Sequence, residues 1–286
     1  MESTKNNEQQ DLHAPIPRSD PYKLAIFDSD GYLEPFRGHF EYRYKTFLQR
    51  LDEIEKNEGS LYAFSHGYQK LGFVETPEGV YFREWAPAAK AVFLTGDFNN
   101  WDRRQHPLKK DAFGNWEIFL PKNKDGSYPI PHMSKVKIHL CNAKDEWVDR
   151  IPAWIQYVLQ NPHDLSYDGV YLSQQKEHRY EWKNPRPPKP KTTLIYETHI
   201  GMSSSEPRIS TYREFADNVL PRIQNLGYNV IQIMAIMEHS YYGSFGYHVT
   251  NFFAISSRFG TPNDLKYLID KAHGMGIYVL MDLVHR

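Results

Sequence analysis

The residues able to do chemistry are few and unevenly placed along the chain. Asp282 stands near the C-terminal end of an apolar run, residues 276–284. If that run is a parallel strand, its carboxylate projects toward the rim where β/α folds build active sites, and it can organise an acidic centre there. The plain alternative is a strand-end aspartate that caps neighbouring amides. Glu238, His239 and His248 lie upstream, but two histidines without a cluster of further ligands do not make a metal site. Aromatic residues are abundant at 15%, with 20 Tyr, 16 Phe and 6 Trp. Their flat apolar faces and polar edges suit stacking on sugar rings as well as ordinary core packing, and composition alone does not separate the two. Trp101 closes the turn Gly96-Asp97-Phe98-Asn99-Asn100-Trp101 and is expected to be exposed, which for a tryptophan calls for a reason. Its plain alternative is a core residue at the edge of a sandwich.

Positioning these side chains takes several elements. Residues 1–19 are polar and proline-marked and read as a mobile tail. Over 20–67 the pattern is helical: Phe36, Phe40, Tyr44, Phe47, Leu48, Leu51 and Ile54 recur every three or four residues and paint one helix face that needs a partner surface. Over 68–183 the period changes to two, in short runs such as 80–85 and 90–96, separated by turn formers at 77–79, 113–115 and 124–127. That rhythm predicts a β-sandwich. The stretch 184–191, with prolines at 185, 187, 188 and 190, reads as a stiff linker and a domain boundary.

From 192 to 286 strand and helix alternate. Strands are expected at 193–198, 229–236 and 276–284, with helices at 211–226 and 263–275. Near-continuous apolar strands joined by helices signify parallel pairing buried on both faces. The segment 237–260, between the second strand and its helix, is much longer than such connections usually are, which marks it as functional. Three strands do not close an eight-stranded barrel.

The formal net charge of −1, from 34 basic and 35 acidic residues, offers no electrostatic footprint for nucleic acid or an anionic membrane, and a neutral partner fits better. No apolar stretch approaches a membrane span. Cys141 is the only cysteine, so no intrachain disulfide forms; with no secretory signal in the first twenty residues, the cytosol is the expected compartment.

An ordered series of motifs resembles the branching enzymes of the alpha-amylase superfamily (glycoside hydrolase family 13), in their eukaryotic glycogen and starch type. The series runs Asp20-Pro21-Tyr22, Arg83-Glu84-Trp85-Ala86-Pro87, 93–101, 195–201, Met234-Ala235-Ile236-Met237-Glu238-His239, 244–250, 257–262 and Met281-Asp282-Leu283-Val284-His285. The fold this resemblance implies is multidomain α and β: a helical N-terminal segment, an immunoglobulin-like β-sandwich carbohydrate-binding module, then the first three β/α units of a truncated TIM barrel. The implied activity cuts an alpha-1,4-glucan and joins the released segment to a 6-hydroxyl, by a retaining mechanism with an aspartate nucleophile and a glutamate acid/base. It needs no cofactor and no metal. Those carboxylates belong to later strands of the family's barrel, so no nucleophile or general acid is assigned and the chain is expected to be inactive alone.

By resemblance, Asp282 matches the aspartate that opens the first conserved superfamily region, and Tyr247 matches a tyrosine that stacks on the glucose at the scissile position. After Asp282-Leu283-Val284-His285 the family continues with a serine, where this sequence has Arg286. Trp101 and Lys137 match a glucan-stacking tryptophan and a lysine that donates to sugar hydroxyls. Asn57 and Glu58, with Trp85, Ala86 and Pro87, match positions where helical segment, sandwich and glucan meet; for Trp85 a purely structural role is the competing reading. The implied partners are alpha-1,4-glucan or glycogen and glycogen-associated proteins. The alternatives are a glycan-binding module without catalysis, and a debranching or glucanotransferase relative.

Overall fold

A computed structural model describes residues 24–285, so the expected tail, the motif Asp20-Pro21-Tyr22 and Arg286 lie outside the described residues. Two compact units part between Lys70 and Leu71.

The first unit is helical. Following the short α1 (Ile26–Ser29), the long α2 (Arg37–Glu58) carries the apolar positions expected from their spacing, and Gly59 at φ 85° ends it. The Ser60 side chain then accepts the Ala63 amide and starts α3 (Leu61–Ser65). Phe27 packs edge-on against Phe40 at 5.3 Å, with the Arg37 guanidinium 4.1 Å above its ring. In α2 Leu51 is fully buried, whereas Phe47 is 45% exposed.

In the second unit, period-two alternation builds two antiparallel sheets. One orders β1 (Gly72–Thr76), β2 (Gly79–Trp85), β5 (Asn115–Pro121) and β4 (Lys109–Lys110) as β1-β2-β5-β4. The other orders β3 (Ala91–Gly96), β6 (Lys135–Cys141), β9 (Tyr167–Val170) and β8 (Val158–Gln160) as β3-β6-β9-β8, with β7 (Trp147–Arg150) also paired to β6. Val80 and Phe82 from one sheet meet Val92, Leu94, Val136 and Ile138 from the other in a common core. Glu84 shares the inward register of β2. Its buried carboxylate accepts the amides of Trp85 and Ala153, and burial raises its pKa against those two bonds.

Beyond the sandwich, β10 (Ile195–Thr198), β11 (Val230–Ile233) and β14 (Tyr278–Met281) form a parallel sheet in the order β10-β11-β14. The helix expected over 211–226 is α4 (Tyr212–Glu214), a π turn (Phe215–Val219) and α5 (Leu220–Asn225). The second helix, α6 (Pro262–Gly274), starts at a capping box between Thr261 and Asp264. Burial on both faces holds only for the central β11, because each outer strand has one neighbour: Ile195 is 43% and Met281 44% exposed.

Two connecting segments carry structure of their own. The segment 237–260 is not irregular throughout: β12 (Met237–Glu238) and β13 (Asn251–Ile255) pair antiparallel within it, tied by the buried Glu238 carboxylate, which accepts the Ser257 amide and hydroxyl at 2.8 Å. The proline-rich stretch 184–191 is bridged by contacts between the elements on its two sides. Contacts across it are built in, since Trp154 stacks on Phe253 at 4.1 Å, Ala254 joins the sandwich core, and Asp270 of α6 accepts the amides of Lys183 and Asn184.

Acid titration should reveal which carboxylates are held ionised. Against burial, which alone would raise it, Asp111 is brought down to about 2 by Asn115, the Phe113 amide and Arg83; Asp270 is likewise lowered against burial by Lys183, Tyr180 and Asn184. A lowered folded pKa gives stability that is complete above the unfolded value, about 4, and lost as pH falls through the folded one. Glu84 has the opposite sign: its contribution is present below its unfolded value and lost as pH rises through the folded pKa. The denaturant midpoint is therefore expected to fall steeply below a pH of about 4, with a shallower fall in Asp111→Asn. A variant profile parallel to the parent's would remove Asp111 from the account.

Candidate functional site

At the C-terminal ends of the parallel strands, Asp282 follows β14 and is half-buried. Its Oδ2 accepts the Tyr247 hydroxyl at 2.8 Å and its Oδ1 accepts the Gln232 side-chain amide at 2.8 Å, while its own amide donates to the Ile233 carbonyl at 3.0 Å. Burial, and then the bond to Asp282, raise the Tyr247 pKa, so the phenol stays a donor through neutral pH. Tyr247 remains 38% exposed, which leaves an aromatic ring beside a carboxylate at the mouth of the sheet. The backbone before it is constrained: Gly246 has φ 91°, and a Cβ there would lie 1.7 Å from the Ala235 carbonyl oxygen. Gln232 was not among the sequence candidates; its signal is a polar residue inside an otherwise apolar strand run. Nearby, His199 is 8% exposed and edged by Tyr242, Phe245 and Phe259, and the His239 Nδ1 sits 2.9 Å from the Met237 carbonyl.

On the sandwich, Trp101 and Lys137 come together. The ammonium of Lys137 lies 6.0 Å from the centre of the Trp101 ring and pairs with Asp168 at 2.7 Å, which Lys135 also holds at 3.0 Å. Trp101 is half-buried rather than exposed, because its indole N–H donates to Asp97 Oδ1 at 2.9 Å and ties the ring down. Strand alternation puts His139 on the same face as Lys137, and His139 stacks on Trp147 at 4.8 Å and 14°. Trp147 is 51% exposed. Asp149 holds His139 Nδ1 at 2.7 Å and is itself held by Arg103, whose bonds keep the Asp149 pKa below its ordinary value. Trp101, Lys137, His139 and Trp147 thus form one row of rings and donors. Sequence reasoning missed Trp147 and His139, because only the pairing of β6 with β7 brings them together.

Trp85 ends β2, and Ala86 and Pro87 follow it. The Trp85 ring is 59% exposed, its indole N–H donating to the Phe113 carbonyl at 3.2 Å, and Phe113 is itself 60% exposed. Ala86 and Pro87 act through their carbonyls, which accept the Trp116 indole at 2.9 Å and the Lys110 ammonium at 2.7 Å. Asn57 and Glu58 belong to the helical unit. The Asn57 amide donates to the Glu53 carbonyl at 2.8 Å, and Glu58 pairs with Lys70 at 3.0 Å.

Two families match this sequence: carbohydrate-binding module 48 (isoamylase N-terminal domain) over residues 70–155, and the alpha amylase catalytic domain over 217–286. The 1,4-alpha-glucan-branching enzyme 2-2 of Arabidopsis thaliana is 53% identical over 260 residues, covering 91% of this chain and 32% of that protein. The chain is a homologue of the 1,4-alpha-glucan-branching enzymes. The branching enzyme of Dictyostelium discoideum is 50% identical, with 91% of this chain and 38% of that one covered. This branching-enzyme homologue spans about a third of the length of the curated relatives it matches. A pullulanase type I from Bacillus subtilis complexed with maltose shares its fold, at TM-score 0.60 and 19% identity over 74% of this chain and 32% of the other. A carbohydrate-binding module 48 of immunoglobulin-like form followed by part of an alpha-amylase catalytic domain is therefore the architecture of this homologue.

Proposed function

We propose that the chain binds alpha-1,4-glucan on its sandwich and contributes the rim at Tyr247 and Asp282 to a glucan-branching site, in which an alpha-1,4 segment moves to a 6-hydroxyl. The observation that carries this reading is the row Trp101, Lys137, His139 and Trp147: two indoles separated by nitrogen donors suit a ligand whose rings offer apolar faces and hydroxyl edges. Trp85 and Phe113 supply a second pair of exposed rings on the sandwich, with Pro87 beside them in sequence, and Asn57 and Glu58 are proposed as glucan contacts on the helical unit by itself. At the rim, Tyr247 would stack on a sugar while Asp282 orients it and organises the acidic centre. The cytosol is the compartment we assign, supported by the lone Cys141.

Calorimetry with maltohexaose on the 286-residue chain tests the binding arm. Trp101→Ala and Trp147→Ala are each expected to weaken binding about fivefold to tenfold, on the order of 1 kcal/mol per stacked ring. Equal affinity in both variants would move the site elsewhere. The branching arm is read by iodine staining of amylose, where the chain alone is expected to give no time-dependent spectral shift. A shift that grows with protein concentration would mean that these residues suffice for chemistry. Glucan binding without that shift also describes the second reading, a glycan-binding module; joining this chain to the further length that its relatives have and observing branching, lost in Tyr247→Ala, would set it aside.

A further inference from the structure

A cavity of about 410 Å3 opens between the sandwich and the start of α6. That volume is in the range of small-ligand sites and several times what a single small ion needs. Its polar lining is one-sided in charge. Lys266 and Arg179 line it, and among the described residues no aspartate or glutamate does. The Lys266 side chain is half-buried and its ammonium makes no hydrogen bond or ion pair among the described residues; burial, with nothing opposing it, draws its pKa below the ordinary lysine value. An ammonium in that state is costly to desolvate and gains most from an anionic partner. Both acids of the helix are committed elsewhere: Asp264 to Thr261 at 2.8 Å and to Arg213, and Asp270, one turn beyond Lys266, to Tyr180, Lys183 and Asn184.

The wall opposite is preorganised. His132 and His178 stack at 3.8 Å and 4°, and the His132 Nδ1 accepts the Ser173 amide at 3.1 Å, so its proton resides on Nε2. Arg179 is anchored by its Nε to the Gln174 carbonyl, which leaves its terminal nitrogens for a ligand. Gln156 and Asn263 add uncharged polar groups at the mouth.

We propose that this cavity binds a phosphate monoester carried on a sugar-sized body, with Lys266 and Arg179 meeting the phosphate and Gln156 and Asn263 meeting hydroxyls. The same chemistry is offered by a free sugar phosphate and by a phosphorylated glucose unit within a glucan, and the site is separate from the row at Trp101 and Trp147.

Calorimetry on the 286-residue chain with four probes tests this: glucose 6-phosphate, inorganic phosphate, glucose, and maltohexaose bearing one 6-phosphate. Saturable binding of glucose 6-phosphate is expected, with inorganic phosphate weaker and competitive and glucose alone silent. Binding of the phosphorylated maltohexaose but not of glucose 6-phosphate, kept in Trp101→Ala and lost in Lys266→Gln, would identify the glucan-borne ester as the source. Lys266→Gln and the more exposed Arg179→Gln are each expected to weaken the phosphate ligand about tenfold or more, as loss of a charge-assisted contact requires. Trp101→Ala should leave that affinity unchanged, which keeps failure here distinct from failure of glucan binding on the sandwich. No saturable binding of any phosphate probe up to about 10 mM, weaker than which an affinity carries little specificity, would overturn the proposal. So would affinities unchanged in both folded variants.

Discussion

Asp270→Ala is expected to destabilise the second unit by about 3 kcal/mol, because it strips the acceptor from several part-buried donors at once. The carboxylate takes the Asn184 amide at 2.8 Å, the Lys183 amide at 3.0 Å, the Tyr180 hydroxyl at 2.9 Å and the Asn184 side-chain amide at 3.1 Å. Its residue is 2% exposed. The donors themselves provide much of that cover, so removing the carboxylate opens the site to water and lets part of the desolvation cost relax; the expected loss is accordingly less than the full value of each bond summed. Tyr180→Phe removes one of these bonds and should cost about 1 kcal/mol. Equilibrium urea unfolding gives both values. Limited proteolysis of Asp270→Ala should also open the segment 180–194, where the parent resists. A midpoint within about 0.5 kcal/mol of the parent's, the size of an ordinary surface change, would show that the sandwich and the parallel sheet are held together by their apolar contacts alone.

Gly246→Ala is expected to be at least as damaging, on the order of 4 kcal/mol. Two costs coincide there: φ is 91°, and the added Cβ would sit 1.7 Å from the Ala235 carbonyl oxygen, a backbone atom that does not swing aside. Gly276→Ala separates the two. Gly276 also has positive φ, 73°, but nothing lies within 4 Å of its Cβ position, so its substitution should cost about 1 to 2 kcal/mol from backbone conformation alone. The larger loss at Gly246 should come with a displaced Tyr247, seen as faster amide exchange from 235 to 247 and loss of the hydroxyl bond to Asp282. Equal destabilisation of the two variants would mean that the loop absorbs the contact by moving, and that Gly246 does not set the position of Tyr247.

Both predictions concern contacts between residues far apart in sequence, and these are what periodicity leaves open. Apolar spacing in 36–54 was enough to expect α2, since one helix face is written in consecutive turns. Alternation in 80–85 and 90–96 was enough to expect β2 and β3, and the helix expected at 263–275 is α6. Asp282 was legible because its place at the end of an apolar run implies its place on the rim, and the motif series carried the family expectation that the homologous branching enzymes support.

What only the tertiary structure decided follows from pairing. Strand alternation says that Lys137 and His139 share a face, but which face carries Trp101 and Trp147 depends on a positive-φ turn at Asn100 and Trp101 and on the β6 to β7 register. The prolines of 184–191 correctly mark an extended backbone, yet an extended backbone separates units only if nothing holds it. Here a carboxylate from α6 does, nearly ninety residues later in the chain. Local sequence determines dihedral preference and which side of an element is apolar, because those depend on near neighbours. Burial of a charge such as Asp270, and the meeting of Tyr247 with Asp282, depend on desolvation by residues that folding alone brings together.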